Sequence, residues 1–222
     1  SLAEAAPHAT LACLRKTIGT WDKKHLESFR EGRREIVRAL RALSKRRECF
    51  GEAARLLLLL GEAENEAWGN NASDVFVGLF AIPMRPAYSQ TEAPPSERFS
   101  ILEEALESDS PEQRALGLRA CERALGSVLT VSSVRSPNLV AVQPEPWAPK
   151  TWEEVADAYR QTWEYLAAGL RRVSGQEQRE YARVLIANAR SLSWFPTLTN
   201  TVLDTVQDLA LSPCADKEKI LE

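Results

Sequence analysis

The most suggestive chemistry in this chain is electrostatic. Arg30, Arg34, Arg38, Arg41 and Lys45 recur at spacings of 4, 4, 3 and 4. At about 100° per residue these cations fall within about 40° of one line on a helix, opposite the apolar Ile36, Leu40 and Leu43. Such a ridge can neutralise several phosphates or face an acidic protein surface. The plainer alternative is a solvated face, partly paired with Glu31, Glu35 or acids further along the chain.

The charge around the ridge is unevenly divided. Residues 15–47 carry twelve basic groups against four acidic, and residues 48–126 carry fourteen acidic against six basic. A formal net charge of −3 conceals this division. The sequence pI near 5.7 and the lack of aromatic residues among these arginines weigh against nucleic acid as the partner. A protein partner is the preferred expectation, and a nucleic-acid-binding helical array using Arg30 to Lys45 is the alternative.

Other reactive residue types do not assemble into a motif. The only histidines, His8 and His25, have no Ser, Cys or acid at the spacing that nucleophilic or metal chemistry needs. Glu62, Glu64 and Glu66 with Asn65, Asn70 and Asn71 suggest a hard-metal site, but calcium-loop spacing is absent, so a solvated helix end is expected. Cys13, Cys49, Cys121 and Cys214 stand far apart, which predicts buried free thiols, a reducing compartment and a cytoplasmic location. No glycine-rich phosphate loop followed by Lys and Ser/Thr is present. The expectation is therefore no catalytic residue, no cofactor and no metal. Trp147, between Pro146 and Ala148, is expected to anchor a long loop on the helices or to offer an aromatic contact to a partner.

The ridge requires a helix over 31–44, and Ile36, Val37, Leu40 and Leu43 on one face predict it. Helices over 3–18 and 21–29 precede it. A helix over 50–66 follows, apolar over so wide an arc (Ala53, Ala54, Leu57, Leu58, Leu60) that it must be central. Asn71 is expected to cap a helix over 72–82, and a proline-rich loop spans 83–95. A helix over 97–107 comes next, then Ser110-Pro111-Glu112 signals the start of 111–125. Thr151 caps 151–173, with Trp152, Val155, Tyr159, Trp163, Leu166 and Leu170 as its buried stripe. Helices over 176–192 and 196–211 complete the series. Residues 127–150 lack helical period: their β-branched residues allow a small hairpin, and their prolines argue equally for an ordered loop.

Short turns place successive helices antiparallel. The expected fold is all-α: antiparallel helix pairs in a HEAT-like α-solenoid or right-angled array. It has a helical-repeat region at 3–126, a Pro-rich insertion at 127–150 and a continuing helical region at 151–221. No apolar run nears the roughly 20 residues of a membrane span, so no membrane partner is expected. With Ser1 in place of an initiator Met, the chain is expected to be a piece of a longer protein.

Two stretches carry a resemblance. Ala53-Ala54-Arg55-Leu56-Leu57 through Glu62-Ala63-Glu64-Asn65-Glu66, with Trp68, Asn70, Asn71 and Phe80, is the first. Pro94-Pro95-Ser96-Glu97-Arg98 with Leu106-Glu107-Ser108-Asp109-Ser110-Pro111-Glu112 is the second. Both resemble the helical C-terminal regions of large bacterial multidomain proteins such as STAND-type ATPases and antiphage defence proteins. The resemblance spans residues 30–125 and consists of turns and caps. It implies a non-catalytic recognition, sensor or scaffold arm that contacts a protein partner or the flanking domains of its own chain.

Overall fold

Helix starts follow local chemistry. In the computed structural model, which describes residues 2–65, 67–82, 91–126 and 145–211, Asn71, Ser110 and Thr151 each cap a first turn. Their side-chain oxygens accept the N–H groups of Asp74, Gln113 and Glu154 at 2.9, 3.4 and 3.2 Å. Each such cap contributes about 1 kcal/mol. Pro7, Pro95 and Pro111 open helices at the position where a missing N–H is least costly.

The described residues form eleven α-helices. They are α1 (Leu2–Ala5), α2 (Pro7–Thr17), α3 (Lys23–Ser28), α4 (Arg33–Leu43), α5 (Arg47–Glu62) and α6 (Ala72–Gly78). After these come α7 (Pro95–Leu106), α8 (Pro111–Leu125), α9 (Trp152–Leu170), α10 (Gly175–Leu192) and α11 (Thr199–Leu211). A 3-10 turn at Ile18–Thr20 follows α2, and no strand occurs among the described residues. Pro7 divides the helix expected over 3–18, because its ring cannot continue the preceding hydrogen-bond ladder. The choice between hairpin and loop for the insertion falls mainly on 127–144, outside the described residues; 145–149 carry no regular structure.

Helix α5 is central, as its wide apolar arc requires. Ala53, Ala54, Leu57 and Leu60 are fully enclosed, and the helix touches α2, α3 and α4 as well as α6, α7 and α8. Helix α8 is a second hub, touching α5, α6, α7, α9 and α10. Gly117 lets α8 approach α7 closely: a Cβ there would meet Leu106 and Ala105 at 3.0 and 3.1 Å. Helix α10 packs against α9 and α11. One buried cluster runs from Ala3 to Leu209, yet α4 and α5 share no substantial contact with α9, α10 or α11 among the described residues.

The stripe of α9 holds at Val155, Tyr159, Trp163, Leu166 and Leu170, which are all buried. Trp152 departs from it and is 65% exposed. Its period is right, but it is the first residue of the helix, where the neighbouring helices no longer cover the stripe. The expectation of buried thiols is met by Cys49 and Cys121 and corrected at Cys13, which is exposed on α2, a helix that buries only Leu11. Cys214 lies outside the described residues. No helix among them is long and apolar enough to cross a membrane.

Candidate functional site

Gly32, in the left-handed region at φ 78°, turns the chain into α4. A glycine reaches this conformation without the Cβ clash that other residues meet. The helix then separates its arginines by face. Arg34, Arg38 and Arg41 are exposed on α4, while Arg30 lies in the turn before it and Lys45 in the turn after it, also exposed. The structure thus places all five ridge cations on the surface, three helical and two flanking.

Their neighbours leave the ridge charge largely uncompensated. Arg38 meets Glu35 of its own helix at 4.0 Å, Arg34 stands 4.6 Å over the Trp68 ring, and Arg41 reaches Asn70 Oδ1 at 3.5 Å. The acids of the second section pair elsewhere. Glu52 meets Arg15 at 3.1 Å, Glu112 meets Lys23 at 2.9 Å, and Glu104 meets Arg55. Glu97 closes on Arg47. Among the described residues, no ridge cation pairs with a carboxylate from another element. The Lys23 ammonium beside Glu112 holds that carboxyl down at about 2.

The C-terminal end of the ridge borders a recess of about 230 Å³ lined by Arg41, Asn70, Asp74, Val75, Val77, Gly78 and Arg123. Asp74 is engaged by Arg119 at 3.4 Å. Arg123, exposed on α8, forms no ion pair among the described residues. Arg41 and Arg123 thus offer two guanidinium groups from different helices, with the Asn70 amide beside them, and this is a donor set for carboxylate or phosphate oxygens. Sequence periodicity within one helix cannot find Arg123, which joins the ridge only through the packing of α6 on α8.

Two further arginines, not singled out by periodicity or motif, are buried. Arg33 is 0% exposed. Its Nη1 donates to Leu26 O at 2.9 Å, and its Nη2 donates to Leu60 O and Ala63 O at 2.6 and 2.9 Å. Glu64 lies 3.5 Å from Nη2. Arg98 is 2% exposed; its Nε donates to Ala93 O at 2.8 Å and its Nη1 to Leu79 O and Ala81 O at 3.1 and 3.0 Å. A cation gathering the carbonyls at a helix end also meets the negative end of the helix dipole. Burial pulls the Arg98 guanidinium down to about 10, so it stays charged at neutral pH. A readable signal existed: Arg33 shares a face with Val37 and Leu40, and Arg98 with Leu102 and Ala105. A cation on an apolar stripe at the start of a helix marks this kind of burial.

Trp147 meets the second of these arginines. Its ring centre lies 5.7 Å from Arg98 Cζ, and its backbone N–H donates to Thr91 O at 2.8 Å. The indole is half-buried on the segment preceding α7. The acidic helix end is more than solvated: Glu64 accepts from the Ser73 N–H at 3.1 Å, and Glu62 accepts from Gln113. Glu66 lies outside the described residues. Among the described residues, ligand atoms of His8, Glu48 and Cys49 lie within 4.8 Å of one another. These could hold a borderline divalent metal, although burial raises the Cys49 thiol and opposes the thiolate that such a site needs. Chain spacing hides this cluster because His8 is on α2 and the other two open α5.

Fold and surface together define a helical array with an exposed cationic ridge. Compared with known proteins, the chain matches no family model, no curated protein and no solved structure at a significant level.

Proposed function

We propose that this chain is a non-catalytic interaction module that binds an acidic protein surface through Arg30, Arg34, Arg38, Arg41 and Lys45, with Arg123 extending the contact. The observation that carries this reading is that, among the described residues, no ridge cation pairs with a carboxylate from another element. Residues 48–126 carry fourteen acids, yet those described pair with other cations or lie away from the ridge. Charge left unpaired across two helices supports long-range steering and register in an encounter more than raw affinity.

The neighbour-to-neighbour helix contacts support a HEAT-like stack, in which each helix pair buries its apolar face only against the next. In this reading the stack is a recognition or scaffold arm of a larger bacterial protein, contacting a partner or its own flanking domains.

Salt-titrated anisotropy tests the proposal, using a fluorescent glutamate- and aspartate-rich peptide and, in parallel, a fluorescent DNA duplex. Peptide binding at low salt, weakened at least tenfold by combined Arg34→Glu, Arg38→Glu and Arg41→Glu, is the expected result. Binding of the duplex in preference to the peptide transfers the ridge to nucleic acid. Indifference of both probes to the triple variant removes the ridge as a site.

A further inference from the structure

Helices α2 and α5 pack side by side, and their contacts run in step along both. His8 stands beside Glu48 and Cys49, Arg15 meets Glu52 at 3.1 Å, and Gly19, just past α2, lies against Leu56. At the Arg15 step a cation answers a carboxylate. At the His8 step none does: among the described residues, the side chains of His8, Glu48 and Cys49 form no hydrogen bond or ion pair. Glu48, Glu52 and Glu92 all act on the Cys49 sulfur, with Arg46 opposing them. The first turn of α5 also favours the anionic forms of Glu48 and Cys49.

The three donor atoms lie within 4.8 Å of one another, so a centre exists within about 2.8 Å of all three. Bonds to zinc measure roughly 2.0–2.3 Å, and closing that gap takes less than about an ångström. His8 and Glu48 are exposed and have room for this movement, while Cys49 is enclosed and supplies a fixed inner ligand. One imidazole, one thiolate and one carboxylate suit a borderline divalent ion, with water in the fourth position. As the sulfur–metal bond forms, the thiol proton passes to solvent, and the cation itself offsets the cost of ionising a buried thiol.

The place of the cluster gives it a role. Helix α2 buries only Leu11, so apolar burial holds it weakly against its neighbours. We propose that His8, Glu48 and Cys49 form a site for a divalent metal of the zinc class, which clips α2 onto the central helix α5. The site is separate from the cationic ridge and does not depend on it.

Cobalt(II) titration of the untagged, metal-free full chain, with its thiols kept reduced, tests the proposal. One equivalent is expected to bind with a near-ultraviolet thiolate-to-cobalt charge-transfer band, which zinc should bleach. His8→Ala and Glu48→Gln, both at exposed positions, should each weaken binding at least tenfold without lowering the metal-free Tm. Cys49→Ser should abolish the band; should that buried variant not fold, the two exposed variants still decide. Cys13→Ser and His25→Ala, outside the cluster, should leave binding unchanged. Hydrogen exchange reads the clip: zinc should slow the amides of α2 at least tenfold in the wild type and not in His8→Ala. Absence of a thiolate band at about ten equivalents of cobalt overturns the proposal, as does a band that survives both His8→Ala and Glu48→Gln. Exchange in α2 that ignores bound zinc overturns the clip.

Discussion

Arg33 and Arg98 stand at comparable places in two successive helix pairs, α4–α5 and α7–α8, and are held in different ways. Each begins an apolar stripe, and each gathers carbonyls released at helix ends. Arg33 binds the end of α5 within its own pair, and its Glu64 partner goes on to accept the Ser73 N–H of α6. Arg98 reaches only backwards, to the residues around the end of α6 and the start of α7, and covers its remaining charge with Trp147. The same residue type thus closes a charge-balanced corner in one pair and leaves a cation in excess in the next. Carbonyl capping is enough to place a buried arginine; a carboxylate is an addition.

Removing each cation tests that difference most severely. Arg33→Met leaves Glu64 half-buried beside three carbonyls without their donor, and should cost about 3–5 kcal/mol in urea unfolding. Arg98→Met strips three carbonyls but also removes an unbalanced charge, so a smaller loss of about 2 kcal/mol is expected. Equal losses, or the reverse order, would break the comparison.

An intermediate effect concerns the tie between α3 and α8. The Lys23 ammonium holds Glu112 at about 2 in the fold, below the usual carboxylate value of 4.5. A depressed carboxyl contributes stability above the unfolded pKa and loses it as pH falls towards the folded one. Glu112→Gln should therefore be less stable than the wild type at pH 6, and the two should converge by about pH 2. A gap that persists unchanged to pH 2 would remove this carboxylate as its source.

The smallest effect sharpens the contrast between buried and exposed arginines. Arg34→Glu, Arg38→Glu and Arg41→Glu, made singly, should each shift stability by no more than about 0.5 kcal/mol by the same urea measurement. A loss of 2 kcal/mol from any of them would show the ridge to be structural.

The helical class, the caps at Asn71, Ser110 and Thr151, and the centrality of α5 were legible because each depends on residues close in sequence. The outward face of Arg34, Arg38 and Arg41 follows from the same period. Arg33 and Arg98 were harder to read, since their acceptors are carbonyls, and every residue owns a carbonyl. Arg123 beside Arg41, and His8 beside Glu48 and Cys49, arise from packing between helices and leave no local trace. Trp152 shows the converse limit: period assigns a face but not whether a neighbour extends far enough to cover it.

The dependence of the fold on α5 and α8 also has a temporal side. These two helices touch neighbours both before and after them in the chain, whereas α11 contacts α10 and little else among the described helices. Opening of a terminal helix therefore disturbs few others, while opening of α5 or α8 exposes most of the core. Amide protons in the middle turns of α5 and α8 should outlast all others in hydrogen exchange, with protection declining outward to α1 and α11. The slowest clock in the molecule then lies in the two helices at its centre, and the faster ones lie at its ends.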